Sequence, residues 1–182
     1  MTALAERVLT AEEYLELERA SEVRHEFVDG KLIPVPGASK THSRIVFNIT
    51  ALARATVMLK NAVLHQGDTQ LLTSSGRYYY PDVMVVCQDN GDAYLEETPC
   101  FIAEIVSKST ESADRGAKLE AYCNIPSMER YVLIEQDARR VTVYWRDPSG
   151  WRVGFLDGEG AIEIPCLQTT LSLSQIYAGL EF

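Results

Sequence analysis

Residues 78–87 read Tyr78-Tyr79-Tyr80-Pro81-Asp82-Val83-Met84-Val85-Val86-Cys87, and residues 100–106 read Cys100-Phe101-Ile102-Ala103-Glu104-Ile105-Val106. Each contains an apolar run of the kind that fits a strand covered on both faces. Each also carries one carboxylate out of place for a core: Asp82 directly after Pro81, and Glu104 between Ala103 and Ile105. Carboxylates are rarely buried unless they are paired or hold a metal. If the two strands are neighbours in one sheet, their acids meet at one edge and repel unless a cation lies between them. Mg²⁺ suits such a place, because it is held by one or two carboxylates, keeps several waters and takes phosphate oxygens for the rest. Lys118 is on the following helix and can swing back over the same edge, where an ammonium orients a water or stabilises charge on a phosphoryl oxygen. A purely structural account stays open: the acids as hydrogen-bonded strand ends, and Lys118 as the i+4 partner of Asp114.

Outward from this pair, Thr10-Ala11-Glu12-Glu13 is a capping box that opens a short helix to about Ala20. His25–Val28 and Lys31–Ile33 read as two strands around Asp29-Gly30, the strongest short-range hairpin signal. Ile45, Ile49, Leu52, Thr56 and Leu59 predict a long helix from Thr41 to about Asn61. Residues 62–73 and 78–87 each read as one strand, with Tyr78, Tyr79 and Tyr80 as sheet residues rather than a base-stacking platform. Residues 88–99 form a polar loop. Residues 109–124 read as one helix stopped by Pro126, and residues 131–135 as a strand. Residues 140–146 and 151–156 form a late hairpin, and a final helix spans 171–180, opened by Ser172 or Ser174. Mixed strands and helices make the class α/β or α+β around one sheet.

The chain has 182 residues, 46% of them hydrophobic and 24% charged, which suggests a single domain spanning residues 1–182. No uncharged apolar run approaches the ~18–20 residues of a membrane span. The mixed acids and bases of the first ten residues do not read as a signal peptide, so a cytoplasmic protein is expected. A net charge of −9 repels nucleic acid on average, so DNA binding would need a local basic patch or bound cations. Cys87, Cys100, Cys123 and Cys166 are scattered without a CxxC, which argues against a zinc ribbon or redox pair and for four reduced thiols in or near the core. No glycine-rich phosphate loop and no nucleophilic-cysteine signature is present.

The ordered set Arg24–Gly30, His42, Tyr80-Pro81-Asp82-Val83, Ala103–Thr110, Asp114 with Lys118 and Tyr122, and Glu129–Leu133 resembles the Uma-two family. That family is large, mostly uncharacterised and described as endonucleases, within the PD-(D/E)XK restriction-endonuclease-like superfamily. The resemblance covers nearly the whole chain. It implies a restriction-endonuclease-like fold, a central mixed β-sheet flanked by helices, and Mg²⁺-dependent hydrolysis of DNA phosphodiesters, with Mn²⁺ as an alternative ion. It puts the superfamily's Asp on Asp82 and its second acid on Glu104, with the backbone carbonyl of Val106 as a further metal ligand. Glu26 matches an additional acid that the superfamily often carries. The expected lysine position is occupied by Val106, so Lys118 is the natural substitute and Lys108 its rival.

Two further classes remain open at this stage. A non-catalytic nucleic-acid- or protein-binding module on the same fold would explain the missing lysine and the acidic surface, since fold alone does not establish an activity. A phosphohydrolase for a small nucleotide would tolerate the negative charge. For the nuclease reading, Arg24, Lys31, Lys40, Arg44 and Lys108 are the expected phosphate contacts, and a homodimer would set two active edges on two DNA strands.

Overall fold

The capping box forms as the sequence requires: Thr10 accepts from the Glu13 amide, Glu13 accepts from the Thr10 amide, and helix α1 (Ala11–Ala20) follows. The structure, a computed structural model, describes residues 8–182; residues 1–7, most of the charged start discussed above, lie outside the described residues. Strands β1 (His25–Val28) and β2 (Lys31–Pro34) form the expected hairpin, with Asp29 and Gly30 both at positive φ, 52° and 83°. Helix α2 spans Lys40–Lys60.

Four short strands come next: β3 (Val63–His65), β4 (Gln70–Leu72), β5 (Tyr78–Tyr79) and β6 (Val83–Val86). β7 (Leu95–Glu96) and the eight-residue β8 (Pro99–Val106) lead to helices α3 (Glu111–Asp114) and α4 (Ala117–Cys123). β9 (Arg130–Glu135) precedes the expected hairpin of β10 (Arg140–Asp147) and β11 (Gly150–Asp157). A further hairpin, β12 (Ala161–Ile164) and β13 (Thr169–Ser172), carries a 3₁₀ turn at Pro165–Leu167. Helix α5 (Leu173–Ile176) closes the described elements on a second capping box, Ser172 with Gln175.

The central sheet has six strands in the order β11-β10-β9-β8-β6-β3. β8 and β9 are parallel, joined through α3 and α4, and the other pairs are antiparallel. A five-stranded sheet, β2-β1-β5-β4-β7, and the β12-β13 ribbon lie beside it. The class is the expected α/β one, but the strands divide among three sheets rather than one. Two expected strands are broken for that reason. The run 62–73 is interrupted at 66–69, and the run 78–87 at Tyr80–Asp82, so each contributes to two different sheets. Pro81, with no N–H to give a ladder, marks the second break.

Alternation along the central strands assigns the two faces. Val83, Val85, Phe101, Ala103 and Ile105 pack against Ile45, Ile49, Ala53 and Val57 of α2 and against the C-terminal elements. Met84, Val86, Ile102 and Val106 pack with Ala121 and Tyr122 of α4 and with Tyr131 and Leu133. Burying each such aliphatic chain contributes about 1.5–3 kcal/mol, which fixes the register. Glu104, between Ile102 and Val106 on the α4 face, is thereby carried into the interior. Among the described residues no helix is long and apolar enough to cross a membrane.

The cysteines depart from expectation. Cys100 and Cys166 form a disulfide, and the Cys87 sulfur lies 3.1 Å from that of Cys100. Sequence spacing misses this because the approach is made by strand pairing and by the returning chain. Cys123 is a half-buried thiol.

Candidate active site

The break at Pro81 leaves Asp82 at the entrance of β6, opposite the C-terminal half of β8. The Asp82 carboxylate accepts the Ile105 amide at 2.7 Å, and the Asp82 amide lies 3.4 Å from the Glu104 carboxylate. The two sequence-predicted acids therefore do meet at one sheet edge. His42, in the first turn of α2, sets its Nε2 3.2 Å from the other Asp82 oxygen.

Glu104 is 2% exposed and Lys118 6%. Three carboxylates converge on the Lys118 ammonium: Glu26 at 3.0 Å, Glu104 at 3.1 Å and Asp114 at 3.4 Å. Tyr122 donates its hydroxyl to Glu104 at 2.9 Å. Tyr131 donates to the Asp114 carbonyl at 2.9 Å, which ties α3 to the sheet. Lys118 is brought inward because Gly116 breaks the expected 109–124 helix into α3 and α4. At Gly116 a Cβ would stand 2.8 Å from the Ser112 carbonyl oxygen.

Burial pulls the Lys118 pKa down, but Glu104, Glu26, Asp114 and Asp82 outweigh it and hold the ammonium well above its ordinary range. One ammonium does not neutralise this group. Burial, with repulsion from Asp82, Asp114 and Glu26, holds Glu104 well above the usual carboxylate range despite Lys118. Asp114 is raised by burial as well, with Lys118 opposing. Its Oδ1 is buried and faces the Lys118 ammonium at 3.4 Å.

The cluster forms the floor of a cleft of about 680 Å³. Arg24, Glu26, Asp82, Glu104, Ile105, Asp114 and Lys118 line it, with Ser107, Ser109, Thr110 and Gln136 at one rim. The chain that enters α2, from Pro34 to Ser39, also lines it, with His42 and Ser43 in the first turn of the helix, and Ser39 donates its hydroxyl to Gln136 at 2.6 Å. Ser39 caps this 21-residue helix by accepting the His42 amide, so a helix N-terminus opens beside the carboxylates.

Of the predicted residues, Glu26, Asp82, Glu104 and Lys118 come together here and Val106 does not. The Val106 carbonyl accepts Gln136 Nε2 at 3.0 Å, and its side chain packs in the core on the α4 face. The neighbouring Ile105 points its amide at Asp82 and lines the cleft. A residue's N–H and C=O leave an extended strand on the same side, so the carbonyl toward Asp82 is that of Ile105, not Val106. Lys108 is exposed and outside the cleft lining. Among the expected phosphate contacts Arg24 lines the cleft, ion-paired to Asp68, and Lys31, Lys40, Arg44 and Lys108 do not. Tyr78, Tyr79 and Tyr80 are all buried, as sheet and core residues. The i+4 pairing of Asp114 with Lys118 was expected as the structural alternative and is present together with the acidic cluster; the α2 N-terminus as a wall was not foreseen. The Ser39 cap signal was present in the sequence, but nothing there shows what a helix end faces.

A mixed sheet flanked by helices, with acids from adjoining strands at one edge, defines a restriction-endonuclease-like fold. The chain belongs to the Uma2 family, described as "Putative restriction endonuclease", whose family model matches residues 11–175. It is 32% identical over 167 residues to the uncharacterized protein sll1609 of Synechocystis sp., covering 88% of this chain and 94% of that one. It is 28% identical over 178 residues to the uncharacterized protein slr1290 of the same organism, covering 96% and 94%. The crystal structure of a "putative nuclease belonging to DUF820" from Anabaena variabilis aligns with a TM-score of 0.76 at 21% identity, over 93% of this chain and 98% of that one. At that identity the likeness is one of fold.

Proposed function

We propose that the cleft is the active site of a DNA endonuclease that hydrolyses phosphodiester bonds with a divalent cation, Mg²⁺ or Mn²⁺. The observation that carries this reading is the set of four carboxylates, Glu26, Asp82, Glu104 and Asp114, around one lysine in an open cleft. An all-oxygen donor set with surplus negative charge fits a hard divalent ion. Asp82 and Glu104 would hold it, with the Ile105 carbonyl beside them. When bound, such an ion lowers the pKa of a coordinated water and neutralises charge on the phosphate.

The protein's own groups supply the rest. Lys118 fixes Glu26 and Glu104 in place and offers an ammonium against which a water is oriented. His42 holds Asp82. The α2 N-terminus and Arg24 face the incoming phosphate backbone, and backbone amides at a helix start suit an anion. Membership of a family described as restriction endonucleases, and the fold shared with a protein titled a nuclease, support the same reading.

The test is cleavage of plasmid and single-stranded DNA at low salt with Mg²⁺ or Mn²⁺, beside Asp82→Ala. Cutting is expected to need the metal and to fall at least ~100-fold in the variant, since even residues that only support metal ligands cost 10–100-fold. No cutting by folded protein with either ion would turn the reading to a non-catalytic binding module. Cutting that survives in Asp82→Ala would place the site elsewhere.

A further inference from the structure

Three of the four cysteines converge at the end of the central sheet away from the acidic cleft. Cys87 follows β6, Cys100 lies at the start of β8, and Cys166 is in the 3₁₀ turn between β12 and β13. Their sulfurs all lie within 4.8 Å of one another. The fold builds this approach. Pairing of β6 with β8 steps from Val85–Phe101 to Val86–Pro99, so Cys100 is the extra residue of a bulge, a device that re-aims a side chain. Pro165 starts the turn that presents Cys166. Asp82 and Cys87 lie at opposite ends of β6, roughly 16 Å apart at ~3.3 Å per residue, so sulfurs and carboxylates are separate sites.

The disulfide uses two of these sulfurs and gives no reason for the third, which is on an exposed residue in contact with the pair. In the reduced chain three thiols stand together, and as thiolates they repel unless a cation lies between them. We propose that the reduced protein binds one soft, thiophilic divalent cation of the Zn²⁺ type through Cys87, Cys100 and Cys166. Thiolates select such ions over Mg²⁺. Tetrahedral Zn–S bonds of about 2.3 Å set sulfurs roughly 3.8 Å apart, within the spread found here, and three ligands leave a fourth position for water. Cys87, on the surface, gives the ion its way in. Bound there, it would join β6, β8 and the C-terminal hairpin.

The experiment titrates the reduced full-length protein with Cd²⁺, a spectroscopic stand-in for Zn²⁺, with Mg²⁺ in excess to occupy carboxylates. The reading is thiolate-to-metal charge-transfer absorbance, with circular dichroism to verify the fold of each variant. One Cd²⁺ per chain is expected, displaced by Zn²⁺. The band should be lost in Cys87→Ser and in Cys166→Ser, and kept in Cys123→Ser and in Asp82→Asn. Three results would each overturn the site: no band in folded, reduced protein; a band that persists in Cys87→Ser; or a band lost in Asp82→Asn. None of them bears on the nuclease reading, which the cleavage test decides.

Discussion

Lys118 is a single buried charge facing three carboxylates, and its removal leaves those carboxylates uncompensated. Breaking a buried ion pair from one side typically costs about 3–5 kcal/mol, so Lys118→Ala is expected to lose stability of that order in urea unfolding. A loss under ~1 kcal/mol would mean that water or a bound cation already screens the cluster. Glu104 gives a pH test. Its folded value lies above the ordinary 4.5, so between the two the folded chain holds a proton that the unfolded chain has released. Stability contributed at this residue therefore falls as pH rises through that window. Glu104→Gln removes the slope, and relative to the wild type it is expected to gain stability as pH rises from about 4.5. Parallel pH profiles in chemical denaturation would show it, and parallel curves with no divergence would contradict it. At this scale the sequence was informative where a charge stood inside an apolar run, as at Asp82 and Glu104. It did not show which backbone carbonyl of β8 lies on the Asp82 side. Ile105 rather than Val106 faces Asp82 because of which neighbour lies on which side of β8, and spacing along one strand does not encode that.

Helix α4 owes its position to the break before it. Gly116, at φ −119° and ψ −98°, lies against the Ser112 carbonyl, where a Cβ would stand at 2.8 Å. A side chain there would have to push either Ser112 or the start of α4 aside. Gly116→Ala is expected to cost about 1–3 kcal/mol as an overpacking change. At ~2–4 °C per kcal/mol for a chain of this size, that is a melting-temperature drop on the order of 2–12 °C. An unchanged melting temperature would show that the α3–α4 junction yields freely. The break was visible as a glycine within a helical pattern. Reading 109–124 as continuous gave more weight to the periodicity of Asp114, Lys118, Leu119 and Tyr122. The same bias toward longer elements joined β5 to β6 across Pro81 and passed over the short β12-β13 ribbon. The long helix was placed well, and its stripe holds at Ile45, Ile49 and Leu52 but not at Leu59. Ala53 and Val57 complete the face begun by Ile45 and Ile49, whereas Leu59 is 85% exposed. Hydropathy favours the larger residue at each step, while the packed face follows the helical repeat and the space beneath it.

Across the whole molecule, the proposed activity requires a chain of net charge −9 to meet a polyanion. Positive charge at the cleft is sparse: Arg24 pairs with Asp68, Lys118 is buried, and Lys40 is exposed at the start of α2 near the rim. Backbone binding releases about 0.9 counterion per phosphate neutralised on duplex DNA, so the two residues free to reach a phosphate, Arg24 and Lys40, correspond to a log–log salt slope of roughly −2. Anisotropy of a labelled duplex between 50 and 200 mM KCl, with Ca²⁺ present to keep the cleft carboxylates neutralised, would measure it. A slope near −2 is expected for one cleft on one strand. About twice that value would mean that two copies engage the duplex together, and light scattering at the same concentrations would then register the dimer. A slope much steeper still would require basic surface away from the cleft and would remove the cleft as the main DNA contact. The shallow value also makes affinity depend on the cation more than on lysine and arginine: an acidic cleft admits phosphate only while its carboxylates are neutralised. Binding should therefore weaken when the divalent ion is chelated, even though monovalent salt is unchanged.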